Sequence, residues 1–126
     1  MVSASDFERP FDQAMALRDE GRLDEALAQL VRLEGSGHHP GVLARVIGGL
    51  LLFEKEDVQR AIPHLLKAVE LLPESERASV NLFHGLMRSG RDDEAFAEMK
   101  RYLASNRSEE YERLLADLKQ ELGPED

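Results

Sequence analysis

Gly21-Arg22-Leu23-Asp24-Glu25-Ala26-Leu27 recurs as Gly90-Arg91-Asp92-Asp93-Glu94-Ala95-Phe96, and Glu56-Asp57-Val58-Gln59-Arg60-Ala61-Ile62 forms a weaker middle copy. The copies lie 35 and then 34 residues apart. A fixed period of this size marks a chain of helix-turn-helix units, each unable to bury its apolar face alone and therefore stacked on its neighbour. The expected fold class is all-α.

At 126 residues the chain has one domain's length, enough to bury a core with no metal or disulfide. The absence of cysteine excludes disulfide scaffolds, thiolate metal sites, iron–sulfur clusters and cysteine nucleophiles together. Leu50-Leu51-Leu52-Phe53 is far shorter than the ~20 apolar residues of a membrane helix. Asp6 and Glu8 stand where a signal peptide would be basic and then apolar. No membrane is expected as a partner, and a cytoplasmic location is expected. The formal charge of −9 repels phosphate backbones, so no nucleic acid is expected either, whereas a basic protein would be attracted.

Apolar residues fall at helical spacing throughout, which predicts seven helices and no strand. The first is expected to begin near Arg9 or Pro10, unless Ser5 and Glu8 form a capping box that starts it earlier, and to end at Gly21. Leu23, Ala26, Leu27, Leu30, Val31 and Leu33 give the second one apolar face, ended by Gly35-Ser36-Gly37. The connection from there to Gly41 is read as the longest in the chain. Pro40 opens a third helix to about Glu54, and the fourth runs from Val58 to Leu72 with Pro63 inside it, where a bend is expected. Ser75, Asp92 and Ser108 are the expected caps of the last three helices. Tyr111, Leu114, Leu115, Leu118 and Leu122 form one stripe on the seventh, which Gly123-Pro124 ends.

These residues resemble the tetratricopeptide repeat family. Its motif sets a small residue in the first helix, a large apolar one three positions on, glycine in the turn, two alanines in the second helix and a closing proline. Gly49, Leu52, Ala61, Ala68 and Pro73 match in the middle repeat; Ala14, Leu17, Gly21 and Ala26 in the first; Leu82, Leu86, Gly90 and Ala95 in the third. Phe83 and Tyr102 depart from it, being large where small residues are expected, which predicts either wider helix separation there or a sharper superhelical turn against the final helix. The resemblance implies a superhelix of three repeats, about 7–41, 42–75 and 76–107, with a capping helix over 108–122, all in a single domain. It also implies a concave groove lined by the first helices. On that pattern the groove-facing residues are Phe11, Met15 and Arg18, then Leu43, Ile47, Leu50 and Glu54, then Arg77, Asn81, His84 and Arg88.

No catalytic residue, metal or cofactor is expected. His38 and His39 are adjacent, His64 and His84 stand alone, and no pair has the i, i+4 spacing that lets two imidazoles share an ion. Gly35 to Gly41 lacks the preceding strand and the lysine of a phosphate-binding loop. Asp24-Glu25 and Asp92-Asp93-Glu94 sit at helix starts, where the helix dipole accounts for them. The stripe Arg77, Asn81, His84, Arg88 contains no acid and is either a solvated face or a binding stripe. The third helix is apolar nearly all round, so Leu43, Ile47 and Leu50 are either a sticky groove floor or core.

The expected function is non-catalytic binding of a protein partner through the groove and the acidic surface. The stretch from Ser79 to Leu115 is also similar to small repeat proteins that serve as immunity partners of bacterial toxins, which implies a stoichiometric inhibitor of a basic partner. The alternatives are a homo-oligomeric scaffold and a binder of small anionic ligands.

Overall fold

The computed structural model describes residues 4–123, and within them every regular element is helical. The helices are α1 (Ala4–Asp19), α2 (Leu23–Glu34), α3 (Pro40–Gly49, continued by a π-helical turn over Leu50–Glu54), α4 (Val58–Leu71), α5 (Glu76–Arg88), α6 (Asp92–Leu103) and α7 (Glu109–Leu122). They pack as antiparallel pairs α1/α2, α3/α4 and α5/α6, and the second pair lies between the other two. One continuous apolar core runs through all three pairs and reaches Tyr111 of α7.

The boundaries follow from side chains at the helix ends. Asp57, Ser75 and Ser108 each accept a hydrogen bond from the backbone N–H three residues on, satisfying one of the donors a helix start leaves open. Asp92 does not cap α6: it is that helix's first residue, and with Asp93 and Glu94 it places negative charge in the first turn. α1 begins at Ala4, earlier than Arg9 or Pro10, and continues through Pro10. α4 likewise continues unbroken through Pro63, whose ring is exposed, so the carbonyl it leaves unpaired lies on the solvent side. The connection 35–39 is no longer than 104–108, since α3 starts at Pro40. Pro124 lies outside the described residues.

Each pair turns over three residues, 20–22, 55–57 and 89–91, so the extra residue of the longer interval is not in a turn. It lies in the π turn. Lys55 N–H donates to Leu50 O at 3.0 Å, an i to i−5 bond that accommodates one residue more than an α-helical turn. Gly21 and Gly90 hold the turn with φ of +79°, and Glu56 takes the same place with φ of +55°.

The insertion moves the close-packed glycine. A Cβ on Gly48 would stand 2.7 Å from Leu65 Cδ2, whereas one on Gly49 would find only Asn81, at 3.4 Å. The small residue on which α3 closes against α4 is therefore Gly48, one position before the Gly49 that counting along the repeat selects.

At the far end Phe83 and Tyr102 are 3 % and 4 % exposed. Their rings pack on Tyr111 at 5.7 and 5.9 Å, so these large residues build the seat of α7. Tyr111 is the one fully buried member of the α7 stripe, and Leu122, expected to bury, is 84 % exposed. Ser79 donates its single hydroxyl proton to Glu98 at 2.7 Å, which makes Tyr111 the donor in its 2.6 Å bond to Ser79. Arg101 binds both Glu98 oxygens, at 2.8 and 2.7 Å, completing the charge balance of a carboxylate that is only 8 % exposed.

Two stability predictions follow from this geometry. Replacing Glu56 by glycine removes the side chain's clash in a left-handed conformation and should stabilise the fold by about 0.5–1 kcal/mol, while Gly90→Ala should destabilise it by about 1 kcal/mol; urea denaturation of both variants measures this. Tyr111→Ala should cost about 3–5 kcal/mol, the scale of emptying an aromatic core site. Tyr111→Phe, which deletes only the hydroxyl, should cost about 1 kcal/mol. Equal losses in thermal unfolding would show that the hydrogen bond rather than the ring holds α7.

Candidate functional site

The apolar character of α3 has two causes that separate in space. Gly41, Leu43, Ala44, Ile47, Gly48, Leu50, Leu51 and Leu52 are buried. The partly open positions are Val42, Arg45, Val46 and Gly49, followed by the exposed Phe53. Spaced at i, i+3, i+4, i+7 and i+11, these five lie on one stripe. Leu43, Ile47 and Leu50 are 0 %, 1 % and 3 % exposed and belong to the core, so they cannot serve as an open groove floor. The sequence placement was displaced by one residue because the π turn breaks the count between Ala61 and the start of α3.

Helix α5 presents Arg77, Asn81, His84 and Arg88 at the expected spacing, with both arginines exposed and the two residues between them half-buried. The two stripes meet side by side. Gly49 lies against Asn81, and the Phe53 ring stands edge-on to His84 at 6.1 Å. The Arg88 guanidinium lies 5.1 Å from the centre of the Phe53 ring, within cation–π range, and donates to Leu52 O at 3.1 Å. That carbonyl belongs to the π turn, so Arg88 fastens the end of α5 to the end of α3 and is engaged by the protein itself.

Arg45 and Arg77 are different. Burial first, and then the neighbouring Arg77 guanidinium, push the Arg45 pKa down. Nine ion pairs join the described residues, and none involves Arg45, Arg77 or Arg88. Two like charges thus lie within electrostatic range of each other and neither has an ion-pair partner, in a chain with 25 acidic residues. His84 is also kept in its neutral form, chiefly by burial and then by Arg88, with Glu110 of α7 opposing.

The remaining sequence candidates fall elsewhere. Phe11 and Met15 are half-buried and pack on the core, and Phe11 stacks on Phe7 at 5.4 Å. Arg18 pairs with its neighbour Asp19 at 3.2 Å. Glu54 is exposed at the end of the π turn. The Phe7 ring packs on His39 at 4.7 Å, and this histidine holds a left-handed φ of +47° in the connection to α3. No cluster of three metal-ligating side chains occurs among the described residues, nor is any of their helices long and apolar enough to cross a membrane.

Arg45 and Phe53 escaped the sequence reading, and the extra residue of the first interval was the signal that could have found Phe53. With the π residue removed from the count, Val42, Val46, Gly49 and Phe53 take the groove-facing places assigned to α3, and Arg45 flanks Val46.

No curated protein matches the chain. The tetratricopeptide repeat family model matches residues 52–118, more than half of the 126 residues, and the chain belongs to that family.

Proposed function

We propose that the chain is a non-catalytic module that binds an acidic segment of a partner protein across the α3–α5 face, in keeping with the family's general role in protein–protein interaction. The observation that carries this reading is that Arg45 and Arg77, on the neighbouring α3 and α5 stripes and within electrostatic range of each other, take part in no ion pair of an otherwise acidic molecule. Two guanidiniums side by side repel, and a carboxylate placed between them turns repulsion into charge-assisted hydrogen bonds. Asn81 offers amide donors and acceptors beside them, and the exposed Phe53 ring offers apolar area at the far end of the stripe. The segment would lie along Arg45 and Arg77, pass Gly49 and Asn81, and end on Phe53 and His84.

A second reading, stoichiometric inhibition of a basic partner such as a nuclease-like toxin, rests on the net charge of −9 and uses the acidic exterior instead. The two make opposite demands on the partner. An eight-residue glutamate-rich peptide and its lysine-rich counterpart, each titrated into the isotope-labelled chain, separate them. The acidic reading expects shifts confined to Arg45, Gly49, Phe53, Arg77, Asn81 and His84, with about a tenfold loss of affinity in Arg45→Ala and in Arg77→Ala. Binding of the lysine peptide alone would favour the inhibitor reading and remove the α3–α5 one.

The same titration carries a pH test. A histidine with its pKa pushed below the ordinary ~6.5 is neutral at pH 7 and gains its charge only as pH falls through the lowered value. As pH falls below ~6.5, and while the glutamates of the peptide remain ionised, its affinity should rise as His84 becomes cationic beside Arg88. His84→Gln should flatten that dependence. A profile that is steep in the His84→Gln variant would place the titrating group elsewhere.

A further inference from the structure

The serine caps allow α5 and α7 to be compared position by position. The tenth residue after Ser75 is Gly85, and the tenth after Ser108 is Leu118. Gly85 is where α5 settles on α4: a Cβ there would stand 2.8 Å from Leu65 Cδ1 and 3.2 Å from Ile62 Cδ1. Under that contact Ile62 and Leu65 are 6 % and 0 % exposed. Their counterparts on α6, 34 residues on, are Phe96 and Met99. Leu118 cannot make the approach that Gly85 makes. Met99 is still buried, but Phe96 is 40 % exposed where Ile62 is covered.

A shallow hollow of about 450 Å³ opens there, lined by Phe96, Met99, Leu103 and Ala104 with Lys100 at its rim. Phe96 and Leu103 lie on the flank of α6 opposite Arg101, which reaches back to Pro73 O at the α4–α5 turn. The hollow therefore faces away from α4, on the side where a further helix of the array would stack. On α7, Leu118 is half-buried and Leu122 is fully presented to solvent. An exposed apolar row at helical spacing, here on α6 and again on α7, is a seat for a helix with an apolar stripe.

Charge selects the kind of helix. Between Asp92 and Leu122 the sequence carries nine carboxylates against five lysines and arginines. With the ion pairs of that range set aside, six carboxylates (Asp92, Asp93, Glu109, Glu112, Asp117 and Glu121) remain against Lys100, Arg107 and Lys119, so the surface stays acidic around the lysine at the hollow's rim. A second copy of the chain would bring this acidic edge against itself. We infer that the α6–α7 edge binds an amphipathic helix of a partner protein whose polar face is basic. The surface is separate from the α3–α5 face and does not depend on it.

The test uses the full chain and a synthetic 14-residue amphipathic helix of leucine and lysine, with a leucine–glutamate helix of the same pattern as control. The leucine–lysine helix should shift the resonances of Phe96, Leu103 and Leu122 and bind about tenfold more weakly to Phe96→Ser. Because Phe96 also meets Phe83 at 5.7 Å, Leu122→Ser supplies a variant outside the core, and it should weaken binding in the same direction. The leucine–glutamate helix should not bind. Equal binding of the two helices, shifts away from this edge, indifference to both substitutions, or a dimer mass that grows with protein concentration in the absence of peptide would each overturn the inference.

Discussion

Leu65 sits in a socket made by two glycines from different helices, and the arrangement of the molecule depends on that contact. Gly48 of α3 and Gly85 of α5 both close on its side chain, at distances where a Cβ on either would overlap it. The contact sets the separations of α3 from α4 and of α4 from α5, and so brings α3 and α5 side by side. Only then can Gly49 meet Asn81 and Arg88 reach both Leu52 O and the Phe53 ring. Dispersion and apolar burial supply the energy here, but glycine supplies the geometry, since attraction falls off steeply with any added separation.

The repeat was legible because it rests on local chemistry. Alanines at intervals of 35 and 34 residues, positive-φ residues in the turns and serines at helix starts each state a backbone requirement that the sequence cannot disguise. Gly21 and Gly90 announced their turns; Glu56 adopts the same conformation without the usual residue, which is why the middle copy looked weak. The face of α3 was not legible. A helix apolar at nearly every position offers no amphipathic phase to read, so its orientation had to be counted from Ala61, and the π turn makes that count wrong by one residue. One residue on a helix is about 100°. That rotation turns Leu43, Ile47 and Leu50 into the core and brings Val42, Val46, Gly49 and Phe53 to the groove side.

Legibility failed differently at α7. The stripe from Tyr111 to Leu122 is amphipathic, and periodicity alone predicts that all of it is buried. Burial also requires that the facing helix be approachable, and Leu118 takes the place where α5 carries Gly85. Phe83 and Tyr102 partly compensate by building an aromatic seat for Tyr111, and the Ser79–Glu98–Arg101 network fixes its hydroxyl. The near half of α7 is thus held by packing and hydrogen bonds that the far half lacks.

Charge is distributed with the same division between local and global control. Several basic side chains are neutralised within a few residues of themselves, as in Arg22 with Glu25, Arg91 with Glu94, Arg101 with Glu98 and Arg113 with Glu110. Such exposed pairs stabilise little, but they cancel positive potential near the surface. Arg45 and Arg77 lack that cancellation, and the partial burial of Arg45 places it where the surrounding dielectric screens less than bulk water. An unpaired cation costs stability in proportion to its desolvation, so Arg45, half-buried and within the field of Arg77, is a strain the fold carries without an ion pair to offset it. A ligand carboxylate is the simplest group that would relieve it, and the relief would appear as affinity because the unbound molecule already bears the cost.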